Sequence, residues 1–528
     1  MKKFIPIIIV ICLIALWPFF KRGYFESHDG EWMVIRFTAF HQSLIAGQIP
    51  VRFTDRLNNN YGYPVLNFLY PLPFYMAEIP KIIGFGFVDS IKIIFVLSTI
   101  TSAAAMYWAI KQLFGEWESF TAALIYVYFP YRFADLYVRG SLGEIVAFTF
   151  LPLIFGSIIQ ITKGNKLFIP LLAFFIAALI LSHNVMAALF IPLFFIIALL
   201  QVKKERISFI TSFILGILMS AFFALPAIYD LRFVRLSQIK VSNTEDHLAS
   251  AVQLIKPVWG YGPNPQDSFP VQIGIVPLVV LLAALVIYIK EKRKTPIIGL
   301  LITVSAASAF LMTKMSSYIW EWVPFLDVIQ FPWRLLAVIM FSVSILCAYV
   351  INSTEFKKVA ASLVVIAAIA ATILYTKPRS FVDRGDGFYS TNEDTTTVRD
   401  EYLPLWVIEK PDKRAEQRVD LKDGQIISQN FKAGNYQLVA KADRKTTVTT
   451  NTIYFPGWQV KVDGKQVPVS YDNKFGLTNF DLPEGEHKVI INYTRSPVHL
   501  LSEIVSLVAI LTTGIYFFNL WRKNQNSL

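Results

Sequence analysis

Three acids and a histidine fall within nine residues, Tyr24-Phe25-Glu26-Ser27-His28-Asp29-Gly30-Glu31-Trp32, just after the first apolar run. A carboxylate in such a stretch can take a proton from a hydroxyl, or orient it, while the oxygen attacks an electrophilic carbon. Asp29 suits that role best, because it is flanked by His28 and by Gly30, where backbone can approach a ligand. Glu26 and His28 are its expected helpers. The competing role is structural, since Asp29 also suits the N-cap of a helix that begins near Gly30.

The second group is basic. Arg132 and Arg139 lie in the Tyr- and Gly-rich stretch 131–144, which ends in Glu144. Guanidinium grips phosphate through a two-pronged fork, so these arginines suit a lipid-linked phosphate. They also suit snorkelling toward headgroups, and Glu144 suits pairing with one of them. Arg334 is a further phosphate candidate, in Gln330-Phe331-Pro332-Trp333-Arg334, where Pro332 sets a helix start and Trp333 an interface anchor. Ser182-His183-Asn184 occupies the tightest turn between two apolar runs. His183 and Asn184 there read as substrate hydrogen-bonders or as a helix cap. Tyr63, in Tyr61-Gly62-Tyr63-Pro64, completes the candidate binding set.

No compact metal motif is present. A divalent cation could be held by Glu26 or Asp29 with Asp230, but no spacing demands one. Walker and dinucleotide fingerprints are absent, so no cofactor is expected. Cys12 and Cys347 both fall in apolar runs and read as small buried hydrophobes.

Positioning these residues falls to helices in a bilayer. Of 528 residues, 55% are hydrophobic and only 16% charged, and apolar runs of about twenty residues recur, as spanning helices require. The expected fold is an all-α polytopic core of about twelve transmembrane helices. These are Phe4–Phe20, Val88–Ile110, Phe120–Pro130, Glu144–Ile161, Leu167–Leu181, Val185–Leu200, Ile207–Tyr229, Val271–Ile289, Thr295–Thr313, Arg334–Ile351, Val359–Tyr375 and Leu500–Leu520. The first span resembles a signal peptide but lacks a small-residue cleavage site, so it reads as uncleaved. The Pro-interrupted stretch 63–84 reads as interfacial or re-entrant backbone.

The net charge of +12 does not point to nucleic acid. The seven segments assigned to the inner side (1–3, 111–118, 163–166, 201–206, 290–294, 352–358, 521–528) carry 16 Lys+Arg against 5 Asp+Glu, and the remainder 33 against 32. That is the positive-inside pattern. It puts both termini in the cytoplasm and every candidate residue on the outer face of a plasma-membrane protein.

The core is expected over 1–375, with catalytic outer loops, followed by a Thr-, Ser- and Asp-rich linker over 376–400. An extracytoplasmic antiparallel β-sandwich spans 401–499 and a final helix with cytoplasmic tail 500–528. Trp458-Gln459-Val460-Lys461-Val462 and Val467-Pro468-Val469 flank Asp463-Gly464, a hairpin signal. Lys488–Tyr493 follows the turn at 483–485 as another strand. Trp458 reads as core rather than as a sugar platform.

The acidic first loop, the short interfacial helices implied by 30–47 and 63–84, and spans free of mid-membrane charge together resemble the polytopic GT-C type glycosyltransferases. The tail 454–465 is similar to bacterial membrane proteins related to YfhO. Tyr61–Pro64 and Arg139–Glu144 resemble bacterial membrane proteins labelled "6-pyruvoyl-tetrahydropterin synthase-related", although six scattered histidines supply no pterin-synthase zinc cluster. The resemblance implies inverting transfer of a sugar from a polyprenyl-phosphate donor to a cell-envelope acceptor. Asp29 would then be the base, while Arg139, Arg334 and Arg132 would hold the phosphate. A flippase or exporter of lipid-linked saccharides would share the arginines without needing the base. A non-catalytic scaffold for envelope assembly would need neither.

Overall fold

Hydrocarbon offers backbone no partner, so each apolar run closes its own hydrogen bonds as helix. A computed structural model describes residues 3–201, 205–240, 242–262 and 269–525. Among these, six helices are long and apolar enough to cross a bilayer: Phe87–Lys111, Leu142–Thr162, Asn184–Gln201, Pro332–Asn352, Lys357–Tyr375 and Pro497–Gln525. A seventh candidate, Arg206–Met219 with Ala221–Phe233, is bent by 64° at its break. Shorter apolar helices occupy Phe4–Ala15, Phe168–Ser182, Ile275–Lys290 and Pro296–Leu311. Every expected span therefore contains helix, but twelve crossings are not established. The shortest expected span, 120–130, falls in the 12-residue helix Glu116–Val127, which covers about 18 Å of a hydrocarbon layer ~30 Å thick. Of the expected inner basic residues, Lys2, Lys203 and Lys204 lie outside the described residues.

Burial ranks these helices. Pro332–Asn352 has 89% of its apolar window buried and stands at the centre, whereas Lys357–Tyr375 and Pro497–Gln525 have 22% and form the margin. Phe341 of the central helix meets Phe155, Phe190 and Phe194 edge-on, a geometry that ring quadrupoles favour. Cys12 and Cys347 are buried and unpaired.

After the first helix the chain forms β1 (Tyr24–Phe25) and then the helix Gly30–Ile45. The stretch 63–84 folds as two short helices, Val65–Phe68 and Leu72–Ile83. Ile79, Ile82 and Ile83 of the second remain exposed, as a helix lying at an apolar interface would leave them.

The segment expected as a linker is packed structure. β2 (Phe381–Val382) pairs antiparallel with β1, Tyr24 opposite Val382. The helix Asp386–Thr391 lies on Gly30–Ile45. Arg36 binds the hydroxyl and carbonyl of Thr396, and Arg56 the Ser390 carbonyl. Its polar side chains serve the protein rather than water, and the segment forms a strap over the first loop.

Eight further strands build the C-terminal part: β3 (Val419–Leu421), β4 (Gly424–Lys432), β5 (Asn435–Ala442), β6 (Thr446–Ile453), β7 (Trp458–Val462), β8 (Lys465–Val467), β9 (Leu477–Leu482) and β10 (Gly485–Tyr493). They form two antiparallel sheets, β4-β5-β10-β7-β8 and β3-β6-β9. Both sheets send alternate residues into one apolar core, among them Leu438, Trp458 and Ile491 from the first and Val448 and Phe480 from the second. The β7–β8 hairpin turns at Asp463-Gly464, at φ +49° and +80°, the positive angles a type I′ turn requires. Phe53 of the first loop enters the same core against Trp458 and Tyr493, docking the sheets beside the loop.

Candidate functional site

Two glycines let distant backbones touch. The amides of His28 and Asp29 donate to the carbonyls of Val138 (2.9 Å) and Arg139 (2.7 Å). Gly140 sits at φ +67°, and a Cβ there would lie 2.6 Å from the Gly30 nitrogen. A Cβ on Gly30 would meet the Tyr24 ring at 2.6 Å. Side chains are thus excluded from the seam that holds Asp29 beside Arg139.

Behind the seam lies a knot of buried charge. Glu144 Oε1 accepts from Arg139 Nη1 at 2.5 Å and from Arg334 Nε at 3.2 Å, while Oε2 accepts from the Tyr131 hydroxyl at 2.7 Å. Arg139 Nη1 also reaches Asp135 Oδ1 at 2.5 Å. Two carboxylates against two guanidiniums keep the knot formally neutral, and a buried group of charges needs that balance. The Trp333 ring covers the Arg139 guanidinium at 4.6 Å.

His183 stands 3.7 Å from Glu144 Oε1. Burial pushes its imidazole down to about 3, so it faces Glu144 as a neutral ring rather than a cation. Its Nδ1 accepts from the Met186 amide at 3.3 Å, which caps the helix that follows.

Asp29 occupies the cap position of Gly30–Ile45 but makes no side-chain capping bond. It is half-buried. Its charge acts on Arg139 and on the Tyr70 phenol, which burial and then Asp29 push upward. The neighbouring acids are all engaged. Glu26 faces Arg379 at 3.9 Å, Glu31 binds Arg384 and the Tyr389 hydroxyl at 3.0 Å each, and Asp135 and Glu144 hold Arg139. Of these five carboxylates, Asp29 is the one with no hydrogen bond or ion pair among the described residues.

Beside the same loop opens a cavity of about 320 Å³. Glu26, His28 and Glu31 form one wall, and Arg379, Arg384 and Phe388 face them. His28 Nε2 lies 3.0 Å from the Tyr261 carbonyl oxygen. The expected trio of Glu26, His28 and Asp29 is therefore only partly joined: Glu26 and His28 line the cavity, while Asp29, next in the chain to His28, is bonded through its amide to the Arg139 carbonyl. Sequence reasoning missed Arg379 and Arg384. They sit in a polar stretch without periodicity, and only the β1–β2 pairing carries them over the first loop.

Three expected binding residues have structural duties instead. Arg132 is fully buried between the Tyr126 and Phe148 rings, at 4.7 and 4.5 Å, and donates to the Tyr126 carbonyl. It closes the C-terminal end of Glu116–Val127, where the helix dipole favours a cation, and does not reach the seam. The Tyr63 hydroxyl accepts from the Tyr402 amide at 3.0 Å and lies 2.8 Å from Thr397 Oγ1, fastening the chain beyond the strap. Asn184 Nδ2 donates to the Phe68 carbonyl at 3.1 Å. Asp230, the other candidate cation ligand, is buried with Oδ2 shared by Asn67 and His499 at 2.8 Å each. Among the described residues no group of three or more His, Cys, Asp or Glu could hold a metal ion.

No known family model matches the chain. A curated protein of Lactococcus lactis subsp. cremoris, described as uncharacterized, is 24% identical over 249 residues, covering 44% of this chain and 40% of the relative. The chain thus spans about two fifths of that relative's length. Its structure is similar to the arabinofuranosyltransferase AftD from Mycobacteria (TM-score 0.46, 14% identity, 74% of this chain and 28% of that one). It is also similar to the Archaeoglobus fulgidus oligosaccharyltransferase (TM-score 0.43, 12% identity, 74% and 56%). Both are glycosyltransferases by name, the class that the first loop resembles. At these scores the likeness carries no argument about the reaction, which is read from the chain's own residues.

Proposed function

We propose that the chain is a multi-pass membrane glycosyltransferase that moves a sugar from a polyprenyl-phosphate donor to an envelope acceptor, with inversion. The first loop and the β sheets lie on the extracytoplasmic side and both termini in the cytoplasm, as the basic inner segments favour. The observation that carries the reading is the uncommitted carboxylate of Asp29, held by backbone beside Arg139 while its acidic neighbours are spent on cations.

Asp29 takes the proton of an acceptor hydroxyl as that oxygen forms a bond to the anomeric carbon. The bond from that carbon to the donor phosphate breaks on the opposite face, and the phosphate leaves with the electron pair. Arg379 and Arg384, facing the cavity, offer the phosphate its hydrogen bonds. Arg139 and Arg334 are held by Glu144, so they act by field and by fixing the seam. His28 and Glu26 contact the substrate from the cavity wall.

The bent helix pair is the feature that most favours a transporter, because broken helices often mark transport sites. Its break is already filled. The Phe222 amide donates to Ser506 Oγ at 2.8 Å, and Arg52 Nη2 donates to the Phe222 carbonyl at 2.7 Å.

The test compares lipids extracted from a deletion strain complemented with wild type or with Asp29→Asn. Deletion should accumulate a polyprenyl-phosphate sugar, and wild type should clear it. Asp29→Asn should fail to clear it while melting as wild type does, since a general base supplies about 10²–10⁴-fold. Full clearance by Asp29→Asn would overturn the assignment.

A further inference from the structure

Two adjacent helices are short for a bilayer. Ile275–Lys290 and Pro296–Leu311 have 16 residues each, about 24 Å of a hydrocarbon layer ~30 Å thick. Both nevertheless present apolar surface outward. Ile275, Val279, Leu282, Val286 and Ile289 of the first are exposed at helical spacing. Phe310 is exposed at the end of the second. The shortfall of about 6 Å has to be met by apolar structure at the helix ends or by a thinner bilayer.

The segments at those ends meet it. After Leu311 the chain doubles back, and the Leu311 carbonyl accepts from Ser316 Oγ at 3.0 Å and from Trp320 Nε1 at 2.9 Å. These bonds satisfy a carbonyl that the helix end leaves open, and they hold the short helix Ser317–Trp322 beside it. Trp320 is buried, while Tyr318 and Trp322 point outward with Met315. The helix Ala251–Ile255 is tied to the same ends. The Ala249 amide donates to the Met312 carbonyl at 2.8 Å, and the Ile273 amide donates to the Leu254 carbonyl at 2.9 Å. Val252 and Ile255 are exposed there, and Trp322 is 82% exposed. Large apolar side chains left this open in a group mark an interaction surface.

We infer that Ala251–Ile255 and 314–322 form a platform lying in the lipid headgroup layer, on the Arg334 side of the membrane. The patch carries on from the exposed apolar faces of two membrane helices, and that continuity assigns it to lipid rather than to a second protein. Tyr318 and Trp322 bring the polar tips that this layer favours. The exposed Lys256 and Lys314 can extend their stems toward lipid phosphates. Residues 323–331 lead from the platform to Pro332–Leu335, so it ties the depth of Arg334 to the bilayer surface. The platform needs a bilayer but no particular reaction.

Single cysteines for nitroxide labelling would replace Val252, Tyr318 and Trp322 in the full chain, reconstituted in phosphatidylcholine liposomes. Cys12 and Cys347 are buried, so the parent chain should take no label. Collisions with oxygen and with a water-soluble nickel chelate report the depth of each label. All three should lie within about 10 Å below the lipid phosphates. Val286→Cys, on the exposed stripe, is the deep standard, and Lys465→Cys, in the β7–β8 hairpin, is the aqueous one. Labels at 252, 318 and 322 that read like Lys465→Cys would overturn the inference. Labels shielded from both reagents would overturn it too, because a second copy of the chain would then cover the patch. If Trp322→Cys aggregates, Val252→Cys and Tyr318→Cys decide the matter.

Discussion

Arg139 Nη1 and Glu144 Oε1 meet at 2.5 Å across the turn that starts the helix Leu142–Thr162, and the same oxygen holds Arg334, 190 residues further on, at 3.2 Å. Removing that carboxylate leaves two buried guanidiniums with Asp135 as the one remaining carboxylate of the knot, and it is bonded to Arg139, so Arg334 is stranded. Breaking a buried ion pair in this way costs about 3–5 kcal/mol. Glu144→Gln should therefore lower the melting temperature of the nanodisc-embedded protein by several degrees. Adding Arg334→Gln should recover part of the loss, because one stranded charge is then gone. A Glu144→Gln protein that melts like wild type would show that the knot does not hold the core.

The seam makes a sharper demand. A Cβ on Gly140 meets backbone atoms of Gly30, which cannot swing aside as a flexible side chain can, and φ +67° is unfavourable for alanine as well. Gly140→Ala should cost about 1–3 kcal/mol, the range for overpacking a closed site. It should also abolish clearance of the lipid-linked sugar by moving Asp29 from Arg139. Gly164, also at positive φ but with nothing within 4 Å, supplies the control. Gly164→Ala should lose a little stability and no activity.

Arg384 offers a different signature. It is 42% exposed and paired with Glu31, and exposed pairs contribute little to stability, about 0–1 kcal/mol. Its worth lies in the cavity. Arg384→Gln should leave melting nearly unchanged and raise the donor KM about tenfold or more, as loss of a charge-assisted hydrogen bond does. Steady-state rates against donor concentration separate the cases. A fall in kcat at constant KM would move Arg384 from donor binding to the chemical step.

Clustered acids and apolar runs were legible in the chain because both are local. The clustered acids at 26–31, the β7–β8 hairpin and the buried nature of Trp458 and the two cysteines all follow from spacing over a few residues. Crossing count was less legible, since 12 to 16 apolar residues make a helix without making it long enough to span. The strap was illegible for a stronger reason. Its strand has only two residues and pairs with a partner about 360 residues away, and its ordering residues, Arg36 and Arg56, belong to the first loop. Arg132 looked like its neighbour Arg139 in sequence. Only the packing of Tyr126 and Phe148 around it reveals that it caps a helix.

The β7–β8 turn supplies a pH dependence whose sign can be worked out. Asp463 Oδ2 lies 2.7 Å from His487 Nδ1, and Oδ1 accepts from the Lys488 amide at 2.9 Å. The bond from His487 holds the Asp463 carboxyl below its usual 3.8, and the same bond raises His487 above 6.5. A raised histidine stabilises the fold fully below its unfolded pKa and loses that contribution as pH climbs through the folded value. A lowered aspartate stabilises above its unfolded pKa and loses that contribution as pH falls through the folded one. Both conditions hold between roughly pH 4 and 6.5, which sets the window. The pair is at the surface, so its effect is small and weakens with salt. His487→Gln should lower the melting temperature most near pH 5–6, progressively less as pH rises through 7, and not at all by about pH 9. A deficit equal at pH 5 and pH 9 would assign the histidine's contribution to packing rather than to its charge.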